Sequence, residues 1–407
     1  MAYSNGIKVG IQLRGTIITI MIVIVCLLSG CWDRKELRNV SVVTGMAVDK
    51  GEHQKYKLTV ETTAASEVNP RNAEGYAPAN VQSLEGNTIA ELTHKFNIVS
   101  EQSMILSHMR VLVISEEVAE KGMMEFMDFM DRNREIRDDF DIVIARDGKA
   151  ASVLKTNNMY KKSASLKVYT QLVSMYKDWG GAPKLRLNDF IRIYKSDGQT
   201  PVLVALKVKG DPKKGGNIEN MKTITPENKV DVDSLGIIKG GKLVGYISIY
   251  DVRNMLWLQG NLKSTVITSQ CGSGDKKMSY RVTTSKTDVI ATEKGGVPSF
   301  TINIKTEGNL QNNECLTNMA KAYAFEGYEE QFNKKMEQEI LDTVKTIREQ
   351  YNADIFGLGE RLKDQDYKHF KKYRENWDEG FAKAKVSIHF NTEIKRAGLR
   401  KEGAIIK

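Results

Sequence analysis

An uncharged apolar run near the start of the chain constrains the fold more than any other feature. It covers fourteen residues, Gly15 to Leu28, and it follows Lys8 and Arg14, which supply a short cationic segment. A membrane-spanning helix needs about 20 apolar residues to cross a hydrocarbon core of about 30 Å. Fourteen residues match the apolar region of a secretory signal instead, so residues 1–30 are predicted to be a signal peptide and no part of the fold.

The residues that end this run, Leu28-Ser29-Gly30-Cys31, resemble the lipobox of bacterial lipoproteins. A thiol is the side chain that suits acylation, because sulfur is a strong nucleophile near neutral pH. Cys31 is therefore expected to become the first residue of the mature protein, with N-palmitoyl and S-diacylglycerol groups. Several acyl chains anchor stably where one does not, at about 0.8 kcal/mol per buried CH₂. The alternative is an uncleaved anchor helix, and both interpretations place the remaining chain outside the cytoplasm on a membrane surface.

Length and charge restrict the class of protein further. Removal of 30 residues from 407 leaves 377, enough for two or three domains, and a hydrophobic content of 41% fits an ordered globular protein. Without Lys8 and Arg14 the chain keeps 58 basic and 51 acidic residues, a net charge of +7 with both signs mixed along its length. This pattern favours a solvated surface, with attraction to an anionic membrane as the weaker interpretation. Nucleic acid is not an expected partner.

Cysteine usage is sparse after Cys31, with only Cys271 and Cys315 remaining. An exported compartment permits a disulfide, but two cysteines do not make a disulfide framework. A bridge between Cys271 and Cys315 therefore stays an alternative to two free thiols.

The N-terminal part of the mature chain reads as a mixture of strands and helices. Residues 40–50 and 55–63, the second of which alternates in polarity, lie on either side of a polar turn and predict a hairpin, and residues 64–83 are predicted to be a loop. A strand at 109–117, an amphipathic helix at 118–135 and a strand at 140–148 follow. This strand–helix–strand order implies a parallel pair with a right-handed crossover.

The C-terminal part has a different pattern. From residue 231 several strands are expected, among them a hairpin that turns at Gly240-Gly241. From Tyr328 to Tyr351 apolar residues recur every three or four positions, which predicts one long amphipathic helix. A second, basic helix at 368–381 and a final strand at 385–394 complete the prediction.

Together these patterns predict an α+β, or mixed α/β, fold of two to three domains. An N-terminal α/β region at 31–209, split into two subdomains, precedes a polar linker at 210–229. The C-terminal α+β domain at 230–400 is expected to be a largely antiparallel sheet packed with a long helix.

No stretch of the sequence carries a complete catalytic or metal-binding motif. Gly236 to Leu243 nearly spells a phosphate-binding loop, but Leu243 stands where Ser or Thr must hold Mg²⁺. The five histidines include no pair at the spacing of a helical zinc site. The chain is therefore expected not to be an enzyme and to need no metal or other cofactor.

Three stretches point to one protein family. The first contributes Cys31, Trp32, Asp33, Glu36, Leu37, Gly45 and Asp49. The second contributes Ser107-His108 before a strand and the cluster Arg132, Glu135 and Arg137 before the next. The third is DIFGLGERL at 354–362, with Trp377 downstream. These residues resemble the lipoprotein C subunits of spore germination nutrient receptors, the Ger(x)C family. The stretch KDQDYKHFKK after the third block departs from the proline- and tryptophan-containing sequence usual in the family.

The resemblance implies a non-enzymatic subunit, lipid-anchored on the outer face of the inner spore membrane, that helps to trigger germination. It implies integral-membrane partners, the A- and B-type receptor subunits, and a fold of three α/β domains. Contact surfaces are expected in the exposed parts of Ser107–Arg146 and in the helix around Trp377. The alternative is a solute-binding lipoprotein of a transporter. That function needs two similar lobes, and the two halves of this sequence differ in pattern.

Overall fold

The structure is a computed structural model, and it describes residues 16–18, 20–21, 40–63, 79–158, 163–270, 275–314 and 322–396. The chain divides into two compact units, Met1–Ser41 and Val42–Lys407. In the first unit, residues 16–18 and 20–21 are helical. The second unit contains two β-sheets and the helices that cover them. None of the helices in the described ranges is both long enough and apolar enough to cross a membrane.

The larger sheet contains nine strands within the described residues. They are β1 Val40–Lys50, β2 Tyr56–Thr63, β3 Ala79–Gly86, β4 Ser103–Ile105, β5 Val111–Ser115, β6 Asp141–Ala145, β7 Val202–Lys209, β8 Lys229–Lys239 and β9 Lys242–Ser248. Their order is β3-β2-β1-β5-β6-β7-β8-β9, and β4 pairs with β1 beside this path.

The centre of the larger sheet is parallel and its two ends are antiparallel. Strands β1, β5, β6 and β7 run parallel, β1-β2-β3 form one antiparallel end, and β7-β8-β9 form the other. Every residue of β5 and β6 is buried, as expected for central strands with both faces covered. The predicted β1–β2 hairpin and the predicted parallel pair are confirmed.

One predicted loop is partly strand. Residues 79–83 belong to β3, which pairs antiparallel with β2, whereas residues 64–78 lie outside the described residues. The sequence ANVQSLEG carries polar side chains on both faces, and most of β3 is half-buried at the end of the sheet. An edge strand of this kind lacks the alternation on which the sequence prediction depended.

The helices of the N-terminal half are short. They are α1 Ile89–Lys95, α2 Glu116–Lys121, α3 Met124–Arg132, α4 Ala150–Lys155, α5 Ala164–Ser174 and α6 Leu187–Tyr194. A π-helical turn, Met175–Trp179, extends α5. The prediction of one helix at 118–135 was wrong, because the chain leaves helical geometry at Gly122, where φ is 124°. That value lies in a region that glycine adopts at little cost.

The segment after β7 remains part of the larger sheet. Residues 210–228 contain a short helix, α7 Glu219–Lys222, and return the chain to β8, the antiparallel neighbour of β7. The predicted hairpin at Gly240-Gly241 joins β8 to β9, and α8 Ile249–Gln259 follows. The predicted linker at 210–229 thus separates two strands that pair directly, and the division into domains stays a prediction.

The smaller sheet is formed by β10 Thr265–Gln270, β11 Lys277–Lys294, β12 Val297–Asn313 and β13 Lys385–Arg396, in that order. The first three strands are antiparallel, and β13 runs parallel to β12. A thirty-residue helix, α9 Ala322–Tyr351, buries one apolar stripe in the same core as the sheet. The predicted C-terminal arrangement, a largely antiparallel sheet with a long helix, is confirmed.

The predicted basic helix at 368–381 is interrupted. After α10 Leu358–Gln365, the chain forms α11 Tyr367–Phe370, a 3₁₀ turn at Arg374–Asn376 and α12 Trp377–Lys383. The backbone leaves helical geometry at Asn376, where φ is −145° and ψ is 68°. The prediction of one continuous helix was therefore wrong, and the break accompanies the burial of Trp377 in the core.

Alternate residues of the central strands supply two apolar cores. Val111 and Val113 enter one cluster, whereas Leu112 and Ile114 enter the other, as a side-chain period of two requires. The first cluster continues from the larger sheet through α8 to α9 and the smaller sheet, and it includes Trp257. Consequently the two sheets share one core.

Candidate functional site

The predicted modification sites lie outside the described residues. Cys31, expected to be acylated, and Cys271 and Cys315, considered as a disulfide pair, all lie in that part of the chain. Both the lipid anchor and the bridge therefore stay predictions.

The predicted contact block from Ser107 to Arg146 presents charged side chains to solvent. The Arg132 side chain is 78% exposed and pairs with Asp128 one helical turn earlier, Nε to Oδ1 2.9 Å. The Arg137 side chain is 65% exposed and pairs with Asp139, Nη2 to Oδ2 3.2 Å. The exposed Arg132–Asp128 pair is of a kind that contributes about 0–1 kcal/mol to stability. These two arginines are therefore surface groups and not supports of the core.

Trp377 is buried, whereas most residues next to it in the sequence are exposed. Its side chain is buried, and its indole Nε1–H donates to Asp354 Oδ2 at 2.9 Å. The rings of Phe370 and Tyr373 lie against it, with centroid distances of 5.9 Å and 6.3 Å. The exposed face of α12 consists of other residues, such as Glu379 and Lys383. Trp377 itself is a structural residue.

Asp354 organises the turn that follows α9. Its carboxylate is fully buried and accepts the N–H groups of Phe356 and Gly357 on Oδ1, at 3.0 Å and 2.9 Å. Oδ2 accepts the N–H of Gly359 at 2.8 Å in addition to the Trp377 indole. Burial raises the pKa of Asp354 to about 6, while the hydrogen bonds from Gly359 and Trp377 act to lower the pKa. We call residues 352–359 the Asp354 turn.

The Asp354 turn packs tightly against the segment before β7. The N–H of Thr200 donates to the Asp354 carbonyl at 2.8 Å. A Cβ on Gly359 would lie 2.6 Å from Gly198 Cα and 2.6 Å from the Trp377 ring, distances that require something to shift. Only glycine allows this approach, which fixes the Asp354 turn against the end of the larger sheet.

Two family-like residues near the start of the fold are also structural. Asp49 is buried and accepts the N–H groups of Ala150 and Ala151, the first two residues of α4, at 2.7 Å and 2.9 Å. A Cβ on Gly45 would lie 2.7 Å from the Ser165 Cβ at the start of α5. Gly45 and Asp49 thus position two helices on the larger sheet.

A charged cleft of about 720 Å³ lies between the Asp354 turn and the larger sheet. Its walls are α6 and the residues before it, the C-terminal half of α8, residues 355–364, and Asp138-Asp139 before β6. Two of the stretches that resemble the Ger(x)C family, far apart in the chain, therefore meet at one surface feature.

The charged cleft carries both signs of charge. The basic residues are Lys184, Arg186, Arg192 and Arg361, and the acidic residues are Asp138, Asp139, Asp189, Glu360 and Asp364. Asp139 holds Arg137 and Arg110 on Oδ2, at 3.2 Å and 3.5 Å, while its buried Oδ1 has no hydrogen-bond partner among the described residues. The predicted contact residue Arg137 is thus oriented by the rim of the cleft.

The composition of the cleft suits recognition of a charged partner surface. Mixed charges around a depression set register and specificity in protein association more than they add affinity. The described residues that line it include no histidine, cysteine or serine. The described ranges also contain no group of three or more His, Cys, Asp or Glu side chains that could hold a metal ion.

The family-like blocks are visible in the sequence, but the roles of their residues are not. DIFGLGERL carries the family resemblance, yet the sequence prediction includes no role for Asp354. An available signal was the Asp-x-Phe-Gly order, since Asp side chains commonly accept backbone N–H groups shortly after themselves. The cleft had no such signal, because its walls come together only in the folded chain.

Comparisons with known proteins place the chain among spore germination proteins. A family model described as "Spore germination protein N-terminal domain" matches residues 33–208, and one described as "Spore germination B3/ GerAC like, C-terminal" matches residues 233–398. The chain belongs to the Ger(x)C family of germination receptor C subunits. This confirms the resemblance carried by the three sequence blocks, and it supports a role in germination.

Relatives match along nearly their full length. Spore germination protein KC of Bacillus subtilis (strain 168) is 25% identical over 393 residues, which cover 94% of this chain and 95% of that protein. Spore germination protein B3 of the same organism is 23% identical over 387 residues, with coverage of 93% and 97%. The crystal structure of the GerBC protein matches with a TM-score of 0.56 at 21% identity, over 89% of this chain and all of that one. This last match shows the shared fold.

Proposed function

We propose that this chain is a lipid-anchored, non-enzymatic subunit of a spore nutrient germinant receptor. It assembles with integral-membrane A- and B-type subunits on the outer face of the inner spore membrane and helps to trigger germination. The observation that carries the proposal is the match to germination proteins, which extends over both halves of the mature sequence.

The anchor follows from the sequence Leu-Ser-Gly-Cys after a fourteen-residue apolar run. Acyl chains on Cys31 confine the protein to the membrane surface that holds its partners. Confinement raises the effective concentration, so that a weak contact between proteins suffices to hold a complex together. Mass spectrometry of the membrane fraction tests the anchor: an acylated Cys31 start is expected, and an intact Met1 start contradicts it.

The two sheets favour a receptor subunit over a solute-binding lipoprotein. A solute-binding protein of a transporter encloses its ligand between two similar lobes. Here a nine-stranded sheet with a parallel centre shares a core with a four-stranded, largely antiparallel sheet. The two are not repeats of one architecture, which supports the proposal.

We assign the contact with the partners to two exposed arginines, Arg137 beside the charged cleft and Arg132 on α3. Arg132 and Arg137 are surface groups, and Arg137 is held by the cleft residue Asp139. Charge complementarity at such a surface governs the rate and the specificity of association. Side chains of α12 other than Trp377 form a second part of the expected contact.

Charge reversal tests this assignment. Arg132→Glu combined with Arg137→Glu is expected to lower co-purification of the integral-membrane subunits about tenfold, equivalent to about 1.4 kcal/mol. The matched control is Lys334→Glu, because Lys334 is 75% exposed and also pairs with a carboxylate one turn away on a helix. Equal recovery of partners from the double variant and the control would exclude this surface.

Gene deletion tests the function itself. Deletion in the parent organism is expected to slow or abolish the response to one set of nutrients while other receptors keep working. If all nutrient responses persisted and uptake of a solute were lost, the transporter function would replace the proposal.

A further inference from the structure

A second pocket, separate from the charged cleft, lies between α8, α9 and β10. Its volume is about 620 Å³, and it shares no lining residue with the charged cleft. The first half of α8 supplies Tyr250, Asp251, Arg253 and Asn254, and α9 supplies a row of residues from Lys335 to Thr346. Trp179, at the end of the π-helical turn, completes the wall. We call this the α8–α9 pocket.

Two buried polar side chains of α8 line the α8–α9 pocket. Arg253 and Asn254 are 4% and 1% exposed. The Arg253 Nη2 pairs with Glu339 Oε1, and the Asn254 Nδ2 donates to Thr343 Oγ1 at 2.9 Å. These bonds fasten α8 to α9, so the two side chains are fixed in place.

The same two side chains keep one unpaired polar atom each. Neither the Nε–H of Arg253 nor the Oδ1 of Asn254 has a hydrogen-bond partner among the described residues. A buried donor or acceptor without a partner costs about 1–3 kcal/mol, a cost that a water molecule or a ligand offsets when it reaches the atom. Both atoms have less than 1 Å² of accessible surface, so a ligand in the pocket pairs with them only after neighbouring side chains move.

The charge of the α8–α9 pocket argues against an anion. Its ionisable residues are three acids, Asp251, Glu339 and Asp342, and two bases, Arg253 and Lys335, which gives a formal charge of −1. A carboxylate would satisfy the Arg253 Nε–H but would face the Asn254 oxygen and the three acids. A neutral amide satisfies both atoms, because its carbonyl accepts from Arg253 and its N–H donates to Asn254.

Apolar and aromatic surfaces complete the pocket. The rings of Trp179 and Tyr250 meet edge to face, with centroids 5.6 Å apart, and Val266 and Ile267 of β10 form another wall. Tyr250 is 58% exposed, and its ring centre lies 5.8 Å from the Arg253 guanidinium carbon. Exposed side chains change rotamer within picoseconds to nanoseconds, so this ring can move away from the Arg253 guanidinium.

We propose that the α8–α9 pocket binds a neutral amide that carries an aromatic or aliphatic substituent. The amide pairs with Arg253 and Asn254, and the substituent packs between the Trp179–Tyr250 rings and β10. The volume lies within the range of about 300–1,000 Å³ that small-molecule sites occupy. The amide can belong to a small molecule or to a peptide bond, and the test separates these two sources.

Binding to the full-length protein is measured by calorimetric titration and by saturation-transfer NMR with three matched probes. N-benzylacetamide offers both amide groups, benzyl acetate lacks the N–H, and 3-phenylpropionate replaces the amide with an anion. N-benzylacetamide is expected to bind, and the other two probes are expected to bind at least about tenfold more weakly, since each leaves Asn254 unpaired. Equal affinity for the three probes, or no binding of N-benzylacetamide, overturns the proposal.

A bulky substitution at an exposed position tests whether the ligand binds in this pocket, without a change to the core. Thr268 lines the pocket from an exposed position on β10, so Thr268→Trp is expected to abolish binding. The control is Thr284→Trp, at an exposed position on β11 outside the pocket. Unchanged binding by Thr268→Trp overturns the proposal. A capped tripeptide with a central tyrosine that binds more tightly than N-benzylacetamide assigns the amide to a peptide, and the reverse order assigns it to a small molecule.

Discussion

At both sheets polar side chains accept hydrogen bonds from backbone N–H groups that lack a backbone partner, but the strands and the helices exchange roles. In the larger sheet, strand carboxylates accept from helices. Asp49 of β1 accepts from the first two residues of α4, at 2.7 Å and 2.9 Å. Glu61 of β2 accepts from the first two residues of α5, at 2.7 Å and 3.0 Å. Helix N-termini leave four N–H groups unpaired, and a carboxylate there also benefits from the helix dipole.

In the smaller sheet, helix side chains accept from a strand. Glu337, Asn333 and Glu329 of α9 accept the N–H groups of Phe390, Thr392 and Ile394 of β13, at 2.9 Å, 2.8 Å and 2.7 Å. Four residues of helix advance about 6 Å, and two residues of strand advance nearly the same distance. This match lets every fourth residue of α9 serve every second residue of β13, and it covers the strand at the end of the sheet.

The difference between the two arrangements lies in their access to water. Asp49 and Glu61 are 4% and 0% exposed, whereas Glu329, Asn333 and Glu337 are half-buried. Loss of an acceptor in the larger sheet leaves helix N–H groups without any partner. Loss of one in the smaller sheet allows water to take its place. We therefore expect substitutions in the larger sheet to cost more stability.

The largest effect is expected from Glu61→Gln. The amide keeps one acceptor oxygen but places an NH₂ group against the other N–H donor of α5, in a site closed to water. The free energy of unfolding is expected to fall by about 3 kcal/mol, the upper range for a buried group left unpaired. Urea denaturation followed by circular dichroism measures the change.

The matched control for Glu61→Gln is Glu330→Gln. Glu330 is 66% exposed on α9 and pairs with Lys334. This change is expected to stay within about 0.5 kcal/mol of the parent protein. If Glu61→Gln lowered the free energy of unfolding as little as the control, burial of the acceptor side chain would not produce a difference in stability between the two sheets.

Periodicity in the sequence predicted most strands of both sheets and α9, but it missed α8. Residues Val252 to Leu258 are all buried, so no polar face marks a helical period. The ends of α8 were nevertheless encoded. Ser248 and Asp251 form a capping box, and Gly260 ends the helix in the left-handed conformation. Capping signals locate a buried helix better than amphipathicity does.

The sites were less predictable than the strands. The family-like block around Asp354 was visible in the sequence, yet its buried bond to Trp377 depends on how α12 turns inward. The charged cleft and the α8–α9 pocket each combine segments that are distant in the chain. Local sequence patterns do not indicate which distant segments pack against each other. These residues come together only through tertiary packing, so the sequence did not predict the two sites.

A smaller effect, dependent on pH, is expected at Asp141 of the larger sheet. Unlike Asp49 and Glu61, its buried carboxylate receives no hydrogen bond in the described part of the chain. Burial raises the pKa of Asp141 from 3.8 to about 7, against the lowering effect of the Arg186 and Lys184 charges. The protonated form is therefore favoured by folding. Its contribution to stability is complete below pH 3.8 and is lost as the pH rises through 7.

Asp141→Asn removes this titration. Relative to the variant, the parent protein is expected to lose about 2 kcal/mol of unfolding free energy between pH 5 and pH 7. Urea denaturation of both proteins at several pH values measures the difference. A constant difference across this range would mean that Asp141 finds a partner for its charge.

The smallest effect is expected at the edge of the smaller sheet, from Glu337→Ala. The Phe390 N–H loses its acceptor, but Glu337 is half-buried and water can replace the carboxylate. We expect a loss of about 1 kcal/mol in the free energy of unfolding, typical of one hydrogen bond. Hydrogen exchange is expected to accelerate at the Phe390 amide and to stay unchanged at the Ile304 amide, on the interior strand β12. Gln338→Ala is the control, because Gln338 is exposed and its side chain donates to Asp342 on the same helix. A loss as large as that of Glu61→Gln would show that α9 seals the strand edge from water as completely as the larger sheet seals its helix ends.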